Sequence, residues 1–597
     1  MKNQSPLLPL LRACIQPPPA MGRTLHISLC AIGLSAGAAA WGQSLSVPAN
    51  STQTLTSSSS YNGASTVDGV LNVGDGTQAA GAVVAEFNGA ATVNSGGTEN
   101  IATDGVHRTY VTATNHGVLT NNGKFEAAFS LSAPDDSALV LNNTGSFINN
   151  PGGSVWLGYV ASAGGRAINT GTMTNAGHFE ARAPDYAFDA WVRIENNGTF
   201  TLSPNGVLNA GSIDSYHFVN GAAGSSPGTL VVQATDDHGA ILGRFENNSG
   251  SVVRFDPAAG TVQSLGTNTG FAGNARFVGA GEYQKSSSGT TVIYGIDYTG
   301  PTVVKEGTLV VNGSNASSAS TTVERGATLS GSGWVSTVTV QAAGTLAPGN
   351  SLVPNSVGTL TVQGSADLQA TSVAQFELGA PTAAEPTAGA AVTAGDLVVV
   401  NGDLQMNGNL QVKALPGMAP GAYKIFTYGG TLTNGASLDI SEMRAQGLTA
   451  QIDVSVPGEV WLATKKLLPQ TISFTSQAPT AAAVGGAAYQ AGANADSGLP
   501  VTLTSTTPQV CTVQGGVVTF VGTGTCVLAA DQPGDSTYLA AEQVTQSFAV
   551  ANAPAPAPSP AGAPTPVPTL GQWAPMLLST LLAGVAAAGL RRPRVSR

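Results

Sequence analysis

A repeated segment in the first half of the chain places the strongest constraint on its fold. Residues 115–127, NHGVLTNNGKFEA, recur with substitutions as residues 169–181, and residues 143–147 of the same unit return at 196–200. Each unit contains several short apolar alternations separated by Asn-Gly or Thr-Gly turns, where Gly and Asn tolerate a positive φ. Such a stack of strands is typical of a parallel β-solenoid, in which each turn hydrogen-bonds to the next. An array of β-sandwiches is the competing interpretation.

The composition favours an all-β body and excludes several classes of partner. Charged residues make up only 10% of the chain, Gly accounts for 75 of 597 residues, and the apolar content of 42% is too high for a disordered chain. All 34 acidic residues lie between positions 43 and 566, where only 16 of the 23 basic residues are found, so this body has a net charge of −18. That charge argues against nucleic acid and anionic lipid as partners.

Farther along the chain, the repeats resemble a known family. Residues 298–313, 326–333, 344–351 and 358–362 combine Gly-Thr-Leu strands with Gly-Asn turns, and residues 421–426 fit the same pattern. They are similar to the passenger-associated repeat of autotransporter proteins. The resemblance implies a right-handed parallel β-helix displayed on the bacterial surface, and it implies no particular reaction.

The pattern changes again between residues 469 and 551. About seven short strands are expected there, and residues 510–513, 517–521 and 525–529 predict a meander with glycine turns. The segment is similar to the bacterial Ig-like modules of surface proteins, which implies a β-sandwich. Residues 552–566 are rich in Ala-Pro and Thr-Pro and predict a stiff, extended linker.

Two cysteines lie inside this predicted module. Cys14 and Cys30 belong to the N-terminal end, so Cys511 and Cys526 are the remaining pair. No histidine lies near them, and an exported protein meets an oxidising environment, so a disulfide is favoured over a zinc site.

Residues 1–42 predict a signal peptide for export through the Sec translocon. A basic segment begins at Met21, an apolar run covers residues 27–40, and small residues precede position 43. Translation from Met21 is expected, because residues 1–20 do not extend a signal peptide in a sensible way.

The C-terminal segment, residues 567–597, predicts a sorting signal. An uncharged run over residues 574–590 predicts a short transmembrane helix, and the basic residues after it predict a cytoplasmic stop. The residues before the helix resemble the IPTL-CTERM family of sorting signals, which implies recognition and removal by an exosortase-type membrane transpeptidase in Gram-negative bacteria. Val567 replaces the usual Ile. A plain membrane anchor is the alternative. The predicted motif residues are Val567, Pro568, Thr569, Leu570 and Trp573, and the predicted stop residues are Arg591, Arg592 and Arg594.

A search for catalytic or metal-binding residues finds only weak candidates. Asp236-Asp237-His238 is the best cluster, and Asp135-Asp136 with Asp185 is a second, but a solvated loop is the simpler interpretation of each. Solvent-facing positions on the solenoid are expected for the histidines that remain after removal of the signal peptide, which are His107, His116, His178, His217 and His238. A β-helical lyase or glycosidase would need paired acids along an aromatic groove. Trp156, Trp191 and Tyr186 are candidates to line such a groove.

The sequence therefore predicts six segments and a surface function. They are a signal peptide (1–42), solenoid repeats (43–282), a passenger-like β-helix (283–466), an Ig-like sandwich (469–551), a linker (552–566) and the sorting signal (567–597). We expect an exported, non-enzymatic structural or adhesin-like protein, with no cofactor and no metal, on the cell surface or in the matrix. Extracellular polysaccharide and host or neighbouring cell surfaces are its expected partners. A surface enzyme that degrades polysaccharide, or a protein that binds it, is the alternative.

Overall fold

A computed structural model describes residues 43–77, 83–88, 90–110, 112–127, 139–158, 165–181, 192–210, 217–236, 240–266 and 275–553. The chain divides between Leu468 and Pro469 into two compact units. The predicted signal peptide, nearly all of the linker and the sorting tail lie outside the described residues.

The described residues of the first unit begin with 27 short strands. The first nine are β1 (Ser46–Val47), β2 (Thr52–Leu55), β3 (Ser59–Tyr61), β4 (Ser65–Val67), β5 (Val70–Val73), β6 (Val83–Phe87), β7 (Ala91–Val93), β8 (Thr98–Ile101) and β9 (Gly105–Thr109). The next nine are β10 (Ala113–Asn115), β11 (Val118–Asn121), β12 (Lys124–Ala127), β13 (Leu139–Asn143), β14 (Ser146–Asn149), β15 (Ser154–Leu157), β16 (Gly165–Asn169), β17 (Thr172–Asn175) and β18 (His178–Glu180). They are followed by β19 (Val192–Asn196), β20 (Thr199–Leu202), β21 (Val207–Asn209), β22 (Phe218–Asn220), β23 (Thr229–Val232), β24 (Ala240–Asn247), β25 (Val252–Phe255), β26 (Val262–Leu265) and β27 (Ala275–Val278).

Strands three apart pair in parallel up to β21, so the chain winds through three faces in each turn. Strand β24 then pairs with both β21 and β22 and so spans two of these faces. The register places Asn115 beside Asn143 and Asn143 beside Asn169, at separations of 28 and 26 positions. The 54-residue repeat therefore comprises two turns of a solenoid. The prediction of an all-β chain built on a long parallel sheet is confirmed, while its right-handedness stays a prediction.

The solenoid continues through longer and more variable strands. These are β28 (Glu282–Gly295), β29 (Thr302–Asn315), β30 (Thr321–Val323), β31 (Thr328–Gly331), β32 (Trp334–Val335), β33 (Val338–Val340), β34 (Thr345–Pro348), β35 (Thr359–Val362), β36 (Ala366–Leu368), β37 (Val373–Leu378), β38 (Leu397–Val400), β39 (Leu404–Met406), β40 (Asn409–Ala414), β41 (Gly421–Tyr428), β42 (Leu432–Asn434), β43 (Ser437–Asp439), helix α1 (Ser441–Ala445), β44 (Leu448–Asp453) and β45 (Glu459–Lys466). Strand β45 pairs antiparallel with β41 and β44, which ends the parallel winding. One buried apolar cluster extends from Ile101 to Leu462, so the core is continuous across position 282.

Stacked asparagines line the interior at one corner of the solenoid. The Nδ2 of each side chain donates to the Oδ1 of the asparagine in the next turn, over 2.7 to 2.9 Å. Each carboxamide thus satisfies its neighbour in a position that water does not reach. The six members are Asn115, Asn143, Asn169, Asn196, Asn220 and Asn247, and a shorter ladder joins Asn121, Asn149 and Asn175.

The glycines after these asparagines are required by close backbone approach. A Cβ on Gly145 would lie 2.1 Å from the carbonyl oxygen of Gly117, and one on Gly171 would lie 2.2 Å from that of Gly145. Neither of these glycines has a positive φ. The expectation of a positive φ is therefore wrong at Gly145 and Gly171, whereas Gly221, directly after Asn220, does have a φ of 75°. Here asparagine supplies an interior hydrogen bond, and glycine leaves room for the neighbouring turn.

The second unit is a small β-structure with two main sheets. Its strands are β46 (Ile472–Phe474), β47 (Ala482–Ala483), β48 (Tyr489–Gln490), β49 (Ala493–Ala495), β50 (Thr502–Ser505), β51 (Cys511–Gln514), β52 (Val517–Phe520), β53 (Gly524–Asp531) and β54 (Val544–Ala551). One sheet has the order β47-β54-β53-β50 and the other β48-β52-β51, while β46 pairs with β49. The predicted meander is wrong at its second turn, because β53 leaves β52 and joins the opposite sheet. The Ig-like assignment stays a prediction.

Candidate functional site

The structure describes part of the set of candidates. Asp236, Trp156, four of the histidines and both cysteines of the second unit are described. Outside the described residues lie the sorting residues Val567, Pro568, Thr569, Leu570 and Trp573, the stop residues Arg591, Arg592 and Arg594, and the candidates Asp135, Asp136, Asp185, Tyr186, Trp191, Asp237 and His238.

Asp236 is bound to the neighbouring turn of the solenoid. One carboxylate oxygen accepts the backbone N–H of Ser264 at 2.7 Å, and the other accepts its hydroxyl at 2.6 Å. These two hydrogen bonds connect successive turns of the solenoid, as expected of a structural carboxylate. Within the described ranges, no group of three His, Cys, Asp or Glu residues is placed to hold a metal ion.

Trp156 lies between two side chains of adjacent turns. The Nζ of Lys124 lies over its ring, 5.9 Å from the centroid, and the ring of His178 lies 5.4 Å away on the following turn. Because Lys124 and His178 come from opposite neighbouring strands, both sides of the indole are occupied. This geometry favours a packing role for Trp156 over the lining of a sugar groove.

The sequence predicts histidines that face solvent, but two of the four described histidines are buried. His107 is buried in the core, where its Nδ1 lies 2.7 Å from the Oε1 of Glu99, and both side chains are 2% exposed. The ring stacks at 4.7 Å on Phe87 and on Phe125. His217 is also buried, and burial lowers its pKa against the opposing effect of the hydrogen bond to Glu246. The prediction is therefore wrong for His107 and His217.

Three acidic side chains near the solenoid surface are each paired with two basic groups. Glu126 contacts Arg108 at 2.6 Å and Lys124 at 2.5 Å. In the same way, Glu195 contacts Arg166 and Arg193, and Glu246 contacts His217 and Arg244. A general acid or nucleophile needs a carboxylate that is available to substrate. Each of these three carboxylates is instead paired with one basic group on the neighbouring turn and one on its own strand.

Cys511 and Cys526 form a disulfide that joins the two main sheets of the second unit. Their Cα atoms are 5.6 Å apart, and both residues are fully buried beside Val518, Phe520 and Leu528. Cys511 lies on β51 and Cys526 on β53. The bond therefore links the two main sheets across the core of the second unit.

Replacing Cys526 by serine is expected to destabilise the second unit by about 3 kcal/mol, because the bond closes a loop with a sequence separation of 15 residues. The solenoid should be unaffected, since its turns contact mainly their neighbours. Calorimetry of this variant should show the transition of the second unit lowered and that of the solenoid unchanged. Wild type treated with a mild reductant is the matched control and should show the same pattern. Free thiols found by alkylation of the native exported protein would contradict the bond itself.

No helix among the described residues is long and apolar enough to cross a membrane. The predicted transmembrane helix, residues 574–590, lies outside those residues and is neither supported nor opposed by this finding.

Comparison with known proteins identifies the C-terminal segment. The profile of the IPTL-CTERM motif matches residues 565–592, which include the predicted motif residues. This sorting signal implies export to the cell surface and processing by an exosortase-type enzyme. One similar solved structure is a fragment of TibA, hyper-glycosylated by TibC. It is 14% identical, the match covers 67% of this chain and 96% of that chain, and the TM-score of 0.18 supports no inference. No curated protein matches the chain.

Proposed function

We propose that this chain is a non-enzymatic structural or adhesin-like protein of the Gram-negative cell surface or matrix, sorted and processed through its C-terminal tail. The observation that carries the proposal is the IPTL-CTERM match at residues 565–592. The motif follows a long β-solenoid and a second β-unit in the chain, which fits a protein whose extended body is delivered outside the cell. The Sec translocon would export the chain, and an exosortase-type transpeptidase would be its processing partner.

The chemistry of the described body supports a scaffold more than an enzyme. Its best acidic candidate, Asp236, is bonded to Ser264, and Glu126, Glu195 and Glu246 are each paired with basic groups. A stack of stiff turns presents long faces to a partner instead of a single cleft. We therefore assign its role to adhesion or matrix structure. The Ig-like module and linker would hold the solenoid clear of the membrane.

Substituting the motif residues should block processing. Mature protein recovered from the surface is expected to lack residues 591–597, whereas Pro568→Ala or Trp573→Ala should leave a larger, membrane-retained form. The physical reason is that the enzyme must recognise the motif before it cleaves the chain. Intact-mass measurement of surface and membrane fractions would distinguish the two products.

Gln572→Ala is the matched control, since this residue lies within the same heptad at a position that the motif does not specify. It should be processed like the wild type. Recovery of intact C-terminal peptides from wild-type surface protein, with no size change in either motif variant, would leave only a plain membrane anchor.

A further inference from the structure

Trp334 differs from the other tryptophans that the structure describes. Trp156 and Trp461 each lie near a lysine, and the Nε1 of Trp461 donates to Glu459. Trp334 is 49% exposed, and within the described residues its ring makes no aromatic or cation contact. Leaving so large an apolar ring in water is unfavourable, and tryptophan is enriched at binding surfaces.

The outward positions of the described strands beside Trp334 carry no charged side chains. In the parallel register, Trp334 lies between Ser314 and Thr361, and Thr361 is followed by Val399. The adjacent positions along these strands add further hydroxyl and amide groups. We call this set the neutral strip: Asn312, Ser314, Ser332, Trp334, Thr359, Thr361, Gln363, Leu397, Val399 and Asn401.

The edges of the neutral strip are defined by charges that are already paired. Arg276 and Asp297 lie 3.3 Å apart at one end. At the other end, Glu459, which faces Thr427 beyond Val399, is bound to Lys424 at 2.8 Å. Within the strip, Asn401 donates to Gln363 at 3.0 Å, which holds the two amides in place. An ionic partner would therefore find no unpaired charge within it.

We propose that the neutral strip binds an uncharged polysaccharide, with Trp334 as the stacking platform. The apolar face of a pyranose ring packs on an exposed indole, and sugar hydroxyls both donate and accept hydrogen bonds. The Ser, Thr, Asn and Gln side chains beside Trp334 offer the same two roles. A second copy of the chain is the competing occupant, because Leu397 and Val399 also lie in the strip, and the test distinguishes the two. This inference rests on the proposed surface function and specifies its ligand class.

The test uses the full exported chain with two soluble probes, a neutral hydroxyethyl-cellulose and the anionic polygalacturonate, in affinity electrophoresis. Wild type should be retarded by the neutral polymer only. Trp334→Ala should weaken that binding by about tenfold or more, as for a stacking anchor, while Trp334→Phe should keep most of it. Val118→Ala, an exposed apolar residue elsewhere on the solenoid, is the control and should bind normally.

Three binding results would overturn the inference, and so would one result on oligomeric state. They are absence of binding to the neutral polymer, unchanged binding by Trp334→Ala with a native circular dichroism spectrum, and preference for the anionic polymer. Concentration-dependent dimers lost in Trp334→Ala would also overturn it, by assigning the strip to a second copy of the chain. None of these outcomes changes the expected processing of the Pro568→Ala variant, so the two proposals fail separately.

Discussion

Replacing Glu99 by leucine while His107 is kept is expected to destabilise the first turns of the solenoid by about 3–5 kcal/mol, because one partner of a buried pair is left alone. The reverse variant, His107→Phe, should cost a similar amount, since it leaves a carboxylate buried without its partner. Both side chains are 2% exposed and lie 2.7 Å apart. The Nε2 of His107 already has no hydrogen-bond partner among the described residues, so little can compensate for the loss.

The double variant should recover most of this stability. Phe at position 107 would continue an aromatic series in which Tyr61 stacks on Phe87 and Phe125 contacts Phe147. Well-packed apolar residues that replace a buried pair are often neutral or stabilising. The pair also lies where the apolar core divides, since one buried cluster ends at Val93 and the next begins at Ile101. Removing it should therefore make the two clusters continuous.

Hydrogen exchange followed by mass spectrometry would locate the effect, because a solenoid need not unfold in one step. Protection should fall in peptides from residues 43–127 for each single variant and return in the double variant. His116→Phe is the matched control. Its side chain is exposed and, among the described residues, bonds only to Thr144 in the next turn, so a change within about 0.5 kcal/mol is expected. Additive costs in the double variant would show that the two residues are not coupled.

The repeat allowed the solenoid to be predicted, but it did not reveal which residues face inward. The Asn-Gly and Thr-Gly pairs of the repeat predict turns, but nothing in the sequence marks Asn115, Asn143 and Asn169 as members of an interior ladder. A single sequence gives no register between turns, and without a register an interior column cannot be distinguished from a corner. Once Ala85, His107 and Phe125 are aligned, His107 is seen to occupy an apolar column.

The disulfide and the neutral strip also depend on contacts between distant parts of the chain, which a single sequence does not reveal. The count of cysteines was enough to pair Cys511 with Cys526, although the sheet that each strand joins depends on tertiary packing. The sequence does not predict a role for Trp334, because a lone Trp within Gly- and Ser-rich turns has no local signature. Its significance follows from exposure and from neighbours that are 20 to 65 positions away in the chain. Such neighbours are set by the stacking of turns.

Asp396 gives the second large expected effect, which depends on pH. Its side chain is 1% exposed, and its two carboxylate oxygens accept the backbone N–H groups of Gly358 and Glu377, each at 2.8 Å. Burial raises the pKa of Asp396 from 3.8 to about 7, despite these hydrogen bonds. The residue therefore connects three segments of the solenoid while favouring its protonated form near neutral pH.

The sign of the effect follows from this raised pKa. Between about pH 4 and pH 7, the unfolded chain loses its proton at position 396 while the folded chain keeps it, so the free energy of unfolding falls as pH rises. The gap of roughly three pKa units corresponds to about 4 kcal/mol, fully present below pH 4 and lost by the time pH passes 7. Urea unfolding of wild type and Asp396→Asn at pH 4.5 and 7.5 would measure this loss as a difference between the two proteins. Asp403→Asn is the control, because hydrogen bonds from Thr431 lower the pKa of Asp403 and the residue is exposed. The wild-type fall should persist in that variant, and an equal fall in Asp396→Asn would show that another group is responsible.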